Sequence, residues 1–200
     1  MSGTATRLRP STAGGSATRQ RILRATLRLI AEGGVAAVSN RRVAGAAKVS
    51  LGSLTYHFAS QAELLHESLL LYVEEETARR AQIARELTEQ GPPTLEQVAH
   101  AVEHVIATSP DTPQQLAELE LHLHSARDPQ LREASQRCFE AHEQIALAAL
   151  QTLCIAEAER HAPTVVALMT GLAVRRLAAG GDDAHGTSDA LLALVRGLEG

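Results

Sequence analysis

The sequence predicts an all-α protein of about nine helices, arranged as a three-helix N-terminal head and a helical-bundle body. Ala, Leu, Glu, Gln and Arg dominate the 200 residues, and no long run alternates apolar and polar side chains as a strand would. The charges are also divided. Residues 1–60 carry nine cations and one acid, whereas residues 61–200 carry ten cations and 22 acids. A basic head on an acidic body indicates that the head meets a polyanion.

The first segment, residues 1–16, is rich in Ser, Thr, Gly and Pro and is predicted to be a disordered basic tail. The first helix is predicted over about 17–32, and Gly33-Gly34 ends it. Its buried stripe is formed by Ile22, Thr26, Leu29 and Ile30.

Two short helices with a tight turn between them follow. Ser39 can cap a helix over about 40–47, and Ser50 can cap another over about 51–57. The turn falls at Lys48-Val49. Such a pair is the pattern of a helix-turn-helix, whose second helix lies in the DNA major groove. Residues 33–62 contain no acid, as expected for a surface that faces phosphates.

The body is predicted to hold six further helices, which begin at capping boxes or at a capping residue before a proline. They cover about 61–89, 95–108, 113–125, 129–156, 162–179 and 188–198. The last two carry more apolar side chains than a body of this size can cover, so they are predicted to form a dimer interface. The interface candidates are Val165, Val166, Leu168, Met169, Leu172, Ala173, Leu177, Leu191, Leu192, Leu194, Val195 and Leu198.

The motif has a specific resemblance. The run Ala47-Lys48-Val49-Ser50, followed by Gly52-Ser53-Leu54-Thr55-Tyr56-His57-Phe58, resembles the DNA-binding signature of the TetR family of bacterial transcriptional repressors. Ser39 and Arg41 before it, and Gln61-Ala62-Glu63-Leu64 after it, extend the match. By this resemblance residues 17–60 form the DNA-binding domain, with the motif at about 39–58, and residues 61–200 bind an effector and dimerise. The implied DNA-binding residues are Ser39, Arg41, Arg42, Leu51, Gly52, Ser53, Thr55, Tyr56, His57 and Gln61.

Three positions depart from the family pattern. Lys48 stands where Gly is common, so the turn must adjust or hold Lys48 in a left-handed conformation. Thr55 stands where Tyr is usual, which removes a reaching aromatic ring. Gln61 stands where a phosphate-binding Lys is usual, which removes a cation.

The resemblance implies a cytoplasmic homodimeric repressor that binds a palindromic operator in double-stranded DNA and is released by a small organic effector. Pockets between bundled helices are common, and the family builds its own there. The pocket candidates are Leu69, Tyr72, Val105, Leu119, His122, Phe139 and His142. Few aromatic residues and the cost of unpaired buried charge favour an apolar, neutral or weakly polar effector.

Other classes of function have less support. No nucleophile elbow, phosphate-binding glycine loop or His-Glu-x-x-His motif occurs, so no enzyme and no cofactor are predicted. His122 and His124 diverge by about 200° around a helix, so no metal site is predicted. No membrane segment is predicted. The alternatives are a helical-bundle ligand-binding protein or enzyme with an incidental basic head, and a helical adaptor for acidic protein partners.

Overall fold

The computed structural model describes residues 12–89, 91–108, 112–180 and 184–198. These residues form nine α-helices and one 3-10 turn, and no strand occurs among them, so the all-α prediction is confirmed. The helices are α1 (Thr12–Gly33), α2 (Asn40–Ala47), α3 (Leu51–His57), α4 (Gln61–Thr88), α5 (Leu95–Thr108), α6 (Thr112–Ser125), α7 (Pro129–Thr152), α8 (Ala158–Ala179) and α9 (Ala184–Leu198). The 3-10 turn, Val35–Ala37, lies between α1 and α2.

The start of α1 differs from the sequence prediction. The helix begins at Thr12, so residues 12–16 are helical rather than part of a disordered tail. Pro10 precedes this helix, and the helix itself contains no proline. Forming the first turn of a helix is the step that costs free energy, and the long packed part of α1 provides that turn. Residues of low helix propensity, such as Gly14 and Gly15, can therefore extend the helix. Residues 1–11 of the predicted tail lie outside the described part of the chain.

The ends of the last three helices also differ from the prediction, and α9 begins at Ala184 rather than near 188. Helix α7 ends at Thr152 rather than near 156, and Cys154 follows with a left-handed φ of 57°. Helix α8 begins at Ala158 and contains Pro163, which the sequence reading had placed at its start. The exposed proline lies in the second turn and removes a single N–H donor, so packing of the rest of α8 can override it.

The first of two hydrophobic cores joins the head to the body. It contains Ile22 and Ile30 of α1, Leu54 and Phe58 at α3, and also Leu64, Leu65 and Leu69 of α4 and Leu121 and Leu131 of α6 and α7. Burial is continuous across residue 60. The domain boundary predicted there therefore does not coincide with a gap in packing.

The second core is built from α5, α8, α9 and the C-terminal half of α7. It buries several of the side chains that the sequence reading had assigned to a dimer interface, namely Val165, Val166, Leu191 and Val195, and Ala173 of α8 is buried as well. This part of the assignment is wrong, because these side chains are covered within one chain. Other side chains of α8 remain exposed, among them Val174 at 48%.

Helix α8 is long and apolar enough to cross a membrane by length and composition, alone among the described helices. Its most apolar window has a mean hydropathy of 1.2, and 22% of that window is buried in the single chain. Length and composition are weak evidence for a membrane span, because a core or interface helix passes the same test. The absence of a membrane segment stays a prediction.

Candidate DNA-binding surface and effector site

The helix-turn-helix is set by two serine caps. The Ser39 hydroxyl accepts a hydrogen bond from the backbone N–H of Arg42 at 3.4 Å, and the Ser50 hydroxyl accepts one from Ser53 at 3.0 Å. Each cap satisfies an N–H group that the first turn of a helix leaves unpaired. The two caps therefore fix where α2 and α3 begin.

Lys48 makes the turn between these helices. Its φ of 53° and ψ of 49° are left-handed, and its N–H bonds the carbonyls of Ala44 and Gly45. This confirms the left-handed alternative for the position where the family commonly has Gly. The exposed side chain places a cation directly between α2 and α3.

Helix α3 has one buried and one exposed face. Leu54 is 1% exposed and Phe58 3%, and both pack into the first core. Leu51, in the first turn, is 53% exposed, and Tyr56, on the side away from the core, is 81% exposed. A large exposed tyrosine on a helix without acids is suited to a base edge or a sugar-phosphate backbone.

The remaining predicted DNA-binding residues divide into exposed and anchored side chains. Arg41 and Gly52 are exposed, Ser53 is half-buried, and His57 is half-buried with its ring 5.2 Å from that of Tyr56. The Thr55 hydroxyl is exposed, but it donates to the carbonyls of its own helix at 3.2 Å, so its oxygen lone pairs and methyl group face solvent.

Arg42 and Gln61 have structural partners that the sequence did not reveal. Arg42 donates to the carbonyl of Ala37 at 3.0 Å, and Gln61 donates to the carbonyl of Val38 at 3.1 Å. Both bonds tie the segment before α2 in place. These side chains therefore position the motif, whether or not their remaining donors contact DNA.

Part of the positive charge of the head is neutralised within the chain. Arg19 pairs with Glu67 at 2.8 Å and lies over the Phe58 ring at 5.1 Å, and Arg24 donates to Glu75 at 3.0 Å. Both acids belong to α4. Arg41 and Arg42 of α2, Lys48 in the turn, and Arg21 and Arg28 of α1 are exposed and have no acid partner among the ion pairs of the described residues.

The body contains a buried polar cluster between α4, α6 and α7. Its centre is the carboxylate of Glu118, which is 7% exposed. The Cys138 thiol donates to Glu118 Oε1 at 3.2 Å, and the Tyr72 hydroxyl also donates to this carboxylate. His122 Nε2 lies 3.5 Å from Oε1, and His142 Nδ1 lies 3.8 Å from it. Three of the predicted pocket residues, Tyr72, His122 and His142, thus lie around the carboxylate of Glu118.

His122 is held in a defined orientation. Its Nδ1 lies 2.6 Å from the hydroxyl of Ser135, and its ring stacks on Phe139 with centroids 4.5 Å apart and planes inclined by 22°. The stack brings a fourth predicted pocket residue into the same cluster. One polar and one aromatic contact together fix both the position and the rotation of the imidazole.

Burial and neighbouring charges set the protonation of the cluster. Burial raises the pKa of Tyr72 and of the Cys138 thiol, and Glu118 raises both further. Burial alone would raise the pKa of Glu118, but His122, His142 and Tyr72 lower it. Burial, with Arg80 next, lowers the pKa of His142 to about 4. Near neutral pH the cluster therefore holds a carboxylate beside a thiol, a phenol and a neutral imidazole at position 142.

The other predicted pocket residues lie apart from this cluster or are not described. Leu69 is fully buried in the first core, and Leu119 is half-buried on α6. Val105 lies on α5, but its side chain is outside the described part of the structure. Leu69 is consequently a core residue rather than part of an open lining.

A groove of about 460 Å³ opens next to the cluster. Seven residues of α6 and α7 line it, and they are Ser125, Arg132, Ser135, Gln136, Phe139, Glu140 and Glu143. Ser135 and Phe139 are shared with the cluster, because both contact His122. The groove and the buried cluster are therefore neighbours that share the side chains of Ser135 and Phe139.

The sequence reading missed the central role of Glu118 and the roles of Ser135 and Cys138. Glu118 and His122 stand four apart on α6, a spacing that places both on one face, and this was the available signal. Nothing in the sequence shows that α7 brings Cys138 to the same point.

A helix-turn-helix head on a helical body with a polar cluster defines a class, the DNA-binding transcriptional regulators that carry a ligand-binding domain. Residues 22–68 match the family "Bacterial regulatory proteins, tetR family", and residues 93–198 match "Tetracyclin repressor-like, C-terminal domain". The chain belongs to the TetR family of transcriptional regulators. None of the curated proteins matches the sequence significantly.

Similar solved structures cover most of the chain. The multidrug binding protein EbrR in complex with imidazole is 29% identical, with a TM-score of 0.68, over 88% of this chain and 94% of that one. A transcriptional regulator from Streptomyces coelicolor A3(2) is 27% identical, with a TM-score of 0.70, over 89% and 98%. A regulator from Rhodococcus sp. Rha1, at 22% identity and a TM-score of 0.75, covers 91% and 98% and shows the shared fold.

Proposed function

We propose that this regulator is a repressor that binds a palindromic operator as a homodimer and releases it when a small organic effector binds. The observation that carries the proposal is the exposed face of α3, where Leu51, Thr55 and Tyr56 face solvent and no acid interrupts them. A single short helix makes few contacts, so specific binding needs a second head related by a two-fold axis. The proposal places the protein in the cytoplasm, with its operator.

The homodimer is supported by the outer face of α8. Ala167, Gly171, Val174 and Ala178 are all exposed and lie on one face, since they are spaced by four, three and four residues. Ala193 and Gly197 are exposed small residues of α9. Small side chains allow two such helix pairs to approach closely and form a four-helix interface.

The effector site is proposed at the groove lined by Phe139, Glu140 and Glu143. EbrR has been solved in complex with proflavin, ethidium and malachite green, which are flat aromatic cations. In this chain the groove offers one aromatic ring, two carboxylates and Arg132, whose guanidinium donates to the carbonyls of Ser125 and Ala126. This chemistry favours a flat, nitrogen-containing cation over the neutral effector expected from the sequence.

Helix α6 provides a route from this site to the head. It carries Glu118 and His122 at one point and Glu120 beside Gly34 at another, where a Cβ on Gly34 would lie 3.5 Å from the carboxylate. Gly34 has a φ of 70° and precedes the 3-10 turn that leads into α2. A shift of α6 on ligand binding would therefore move the segment that positions the helix-turn-helix.

Selection from a random duplex pool tests DNA recognition. The purified protein should enrich an inverted repeat, and Arg41→Ala should weaken binding by ~1–3 kcal/mol and relax specificity at one position of each half-site. Arg160→Ala is the matched control, because this exposed arginine lies on the body. Recovery of no sequence preference would refute operator recognition and favour the alternative of a helical ligand-binding bundle with an incidental basic head.

Thermal unfolding with ethidium tests the effector site. A ligand at 100 times its dissociation constant should stabilise the fold by ~2.7 kcal/mol. Phe139→Leu should reduce this stabilisation, because it removes the flat ring while keeping an apolar side chain. Equal stabilisation of the variant and the parent would place the ligand elsewhere.

A further inference from the structure

The polar cluster has an unusual set of donors for a hydrogen-bond network. Glu118 Oε1, a His122 nitrogen and Cys138 Sγ all lie within 4.8 Å of one another. Carboxylate oxygen, imidazole nitrogen and thiolate sulfur are the three types of ligand that proteins use for zinc. The chain supplies them from two helices, with Glu118 and His122 on α6 and Cys138 on α7.

The separations agree with a small tetrahedral site. Bonds of about 2.0–2.3 Å to zinc place neighbouring ligand atoms about 3.3–3.8 Å apart. Cys138 Sγ lies 3.2 Å from Glu118 Oε1, His122 Nε2 lies 3.5 Å from it, and His142 Nδ1 lies 3.8 Å from it. The edges from Glu118 to Cys138 and to His122 are thus close to these lengths before any rearrangement. His142 lies one turn after Cys138 on α7, but it is not among the three residues whose ligand atoms all lie within 4.8 Å of one another.

Unpartnered nitrogens distinguish this cluster from a closed hydrogen-bond network. Nε2 of His122 is buried without a hydrogen-bond partner and lies 3.5 Å from Glu118 Oε1. Nε2 of His142 is also buried without a partner, but this histidine approaches Glu118 through Nδ1. A buried nitrogen without a partner is costly. A cation bound between the imidazole of His122 and the carboxylate would satisfy both groups.

The surroundings of His122 are those of a metal ligand. Metal-binding histidines usually donate through their second ring nitrogen to a fixed acceptor, which sets the tautomer. Here Nδ1 lies 2.6 Å from Ser135 Oγ, and with hydrogen on Nδ1 the lone pair of Nε2 points towards Glu118. Tyr72 supports the carboxylate in the same way.

We propose that Glu118, His122 and Cys138 bind one zinc-class divalent cation that links α6 to α7. On binding, the Cys138 S–H bond breaks, its sulfur forms the bond to the metal, and the proton passes to solvent through the groove at Ser135 and Phe139. One carboxylate and one thiolate balance the two positive charges. The nearby Arg80 is paired with Glu76 at 3.5 Å, an acid that also pairs with Arg79 at 2.8 Å.

Cobalt and zinc titrations of the full-length protein, prepared without a polyhistidine tag and stripped with a chelator, test the site. Cobalt(II) should bind one ion per chain and give thiolate-to-cobalt charge-transfer absorption in the near ultraviolet, and zinc should displace it. The chain has two cysteines. In Cys154→Ser the band must therefore survive and come from Cys138, which tests the site without altering it.

Variants of the cluster give the complementary result. Cys138→Ser should abolish the charge-transfer band, and Ser135→Ala, which affects a positioning residue, should weaken zinc binding by about 10–100-fold. His124→Asn, on the same helix but outside the cluster, is the matched control and should bind as the parent does. Failure of the parent protein to bind one cobalt ion, or loss of the band in Cys154→Ser, would overturn the proposal. Neither readout uses DNA, so the repressor function is tested separately.

Discussion

At the scale of single residues, the conformation of Lys48 illustrates a local rule that the fold overrides. A left-handed conformation costs an L-residue roughly 1–2 kcal/mol relative to a right-handed one, and Gly avoids this cost. Lys48 keeps φ at 53° because the caps at Ser39 and Ser50 fix the helices on either side. What the position gains is an exposed cation between α2 and α3.

Lys48→Gly should separate stability from DNA binding. Relief of backbone strain is partly offset by the greater freedom of Gly in the unfolded chain, so we expect stabilisation of up to about 1 kcal/mol. Operator affinity should fall, because a cation is lost. Denaturant unfolding and DNA titration measure the two effects. Lys48→Ala is the control, since it loses the charge but keeps the Cβ; if it were stabilised as much as Lys48→Gly, strain at this residue would not be the cause.

At the scale of an element, α3 is too short to be stable alone. Isolated helices shorter than about 12–15 residues are marginal in water, so this seven-residue helix depends on tertiary contacts and its caps. Leu54 and Phe58 supply the contacts, and Arg19 covers the Phe58 ring. The exposed side is thereby left free to differ among relatives without loss of the fold.

Two leucines of α3 allow the buried and the exposed positions of this helix to be tested separately. Leu54→Ala should destabilise the protein by about 2–5 kcal/mol, because it opens a cavity under the helix. Leu51→Ala should change the free energy of unfolding by less than about 0.5 kcal/mol, because Leu51 is 53% exposed, yet it should weaken operator binding. Urea unfolding and DNA titration of both variants measure this. Equal destabilisation by the two substitutions would contradict the assignment of faces.

At the scale of the whole molecule, the two hydrophobic cores hold different sets of helices together. The first joins α1–α4 to α6 and α7, so the helix-turn-helix and the polar cluster share one packed body. The second holds α8 and α9 against α5 and α7, and it leaves the outer face of α8 uncovered. A ligand bound at the proposed site between α6 and α7 would therefore contact the core that carries the head.

Val174→Glu should separate the proposed dimer into monomers. A carboxylate at the centre of the exposed α8 face would be buried twice across a two-fold axis, next to its own copy, and both effects are unfavourable. Light scattering at micromolar concentration should show a dimer for the parent and a monomer for the variant. Leu123→Glu is the control, because Leu123 is 71% exposed on α6, and it should remain dimeric. A monomeric parent would contradict the interface.

Much of the fold could be predicted because its determinants are local. The caps, the glycines, the prolines and the 3.6-residue periodicity placed α2 and α3 correctly and α4, α5 and α6 to within a residue or two. The errors lie at the ends of helices, where a local rule is overridden: at Pro163 inside α8, at the early end of α7, and at the glycines in the first turns of α1, which extend a helix that is already nucleated. The resemblance to TetR regulators likewise depended on one contiguous motif.

The sequence by itself therefore determined the fold class, the helix-turn-helix and the family, because each of these rests on residues close together in the chain. The tertiary structure decided which side chains are buried or paired within the protein and which remain exposed for binding. It paired Arg19 with an acid of α4, buried Val165 in the second core, and brought Cys138 of α7 to Glu118 of α6. The physical reason is that contacts between two helices depend on where the helices cross. The 3.6-residue periodicity of one helix shows which face is buried, but not which residue of another helix that face meets.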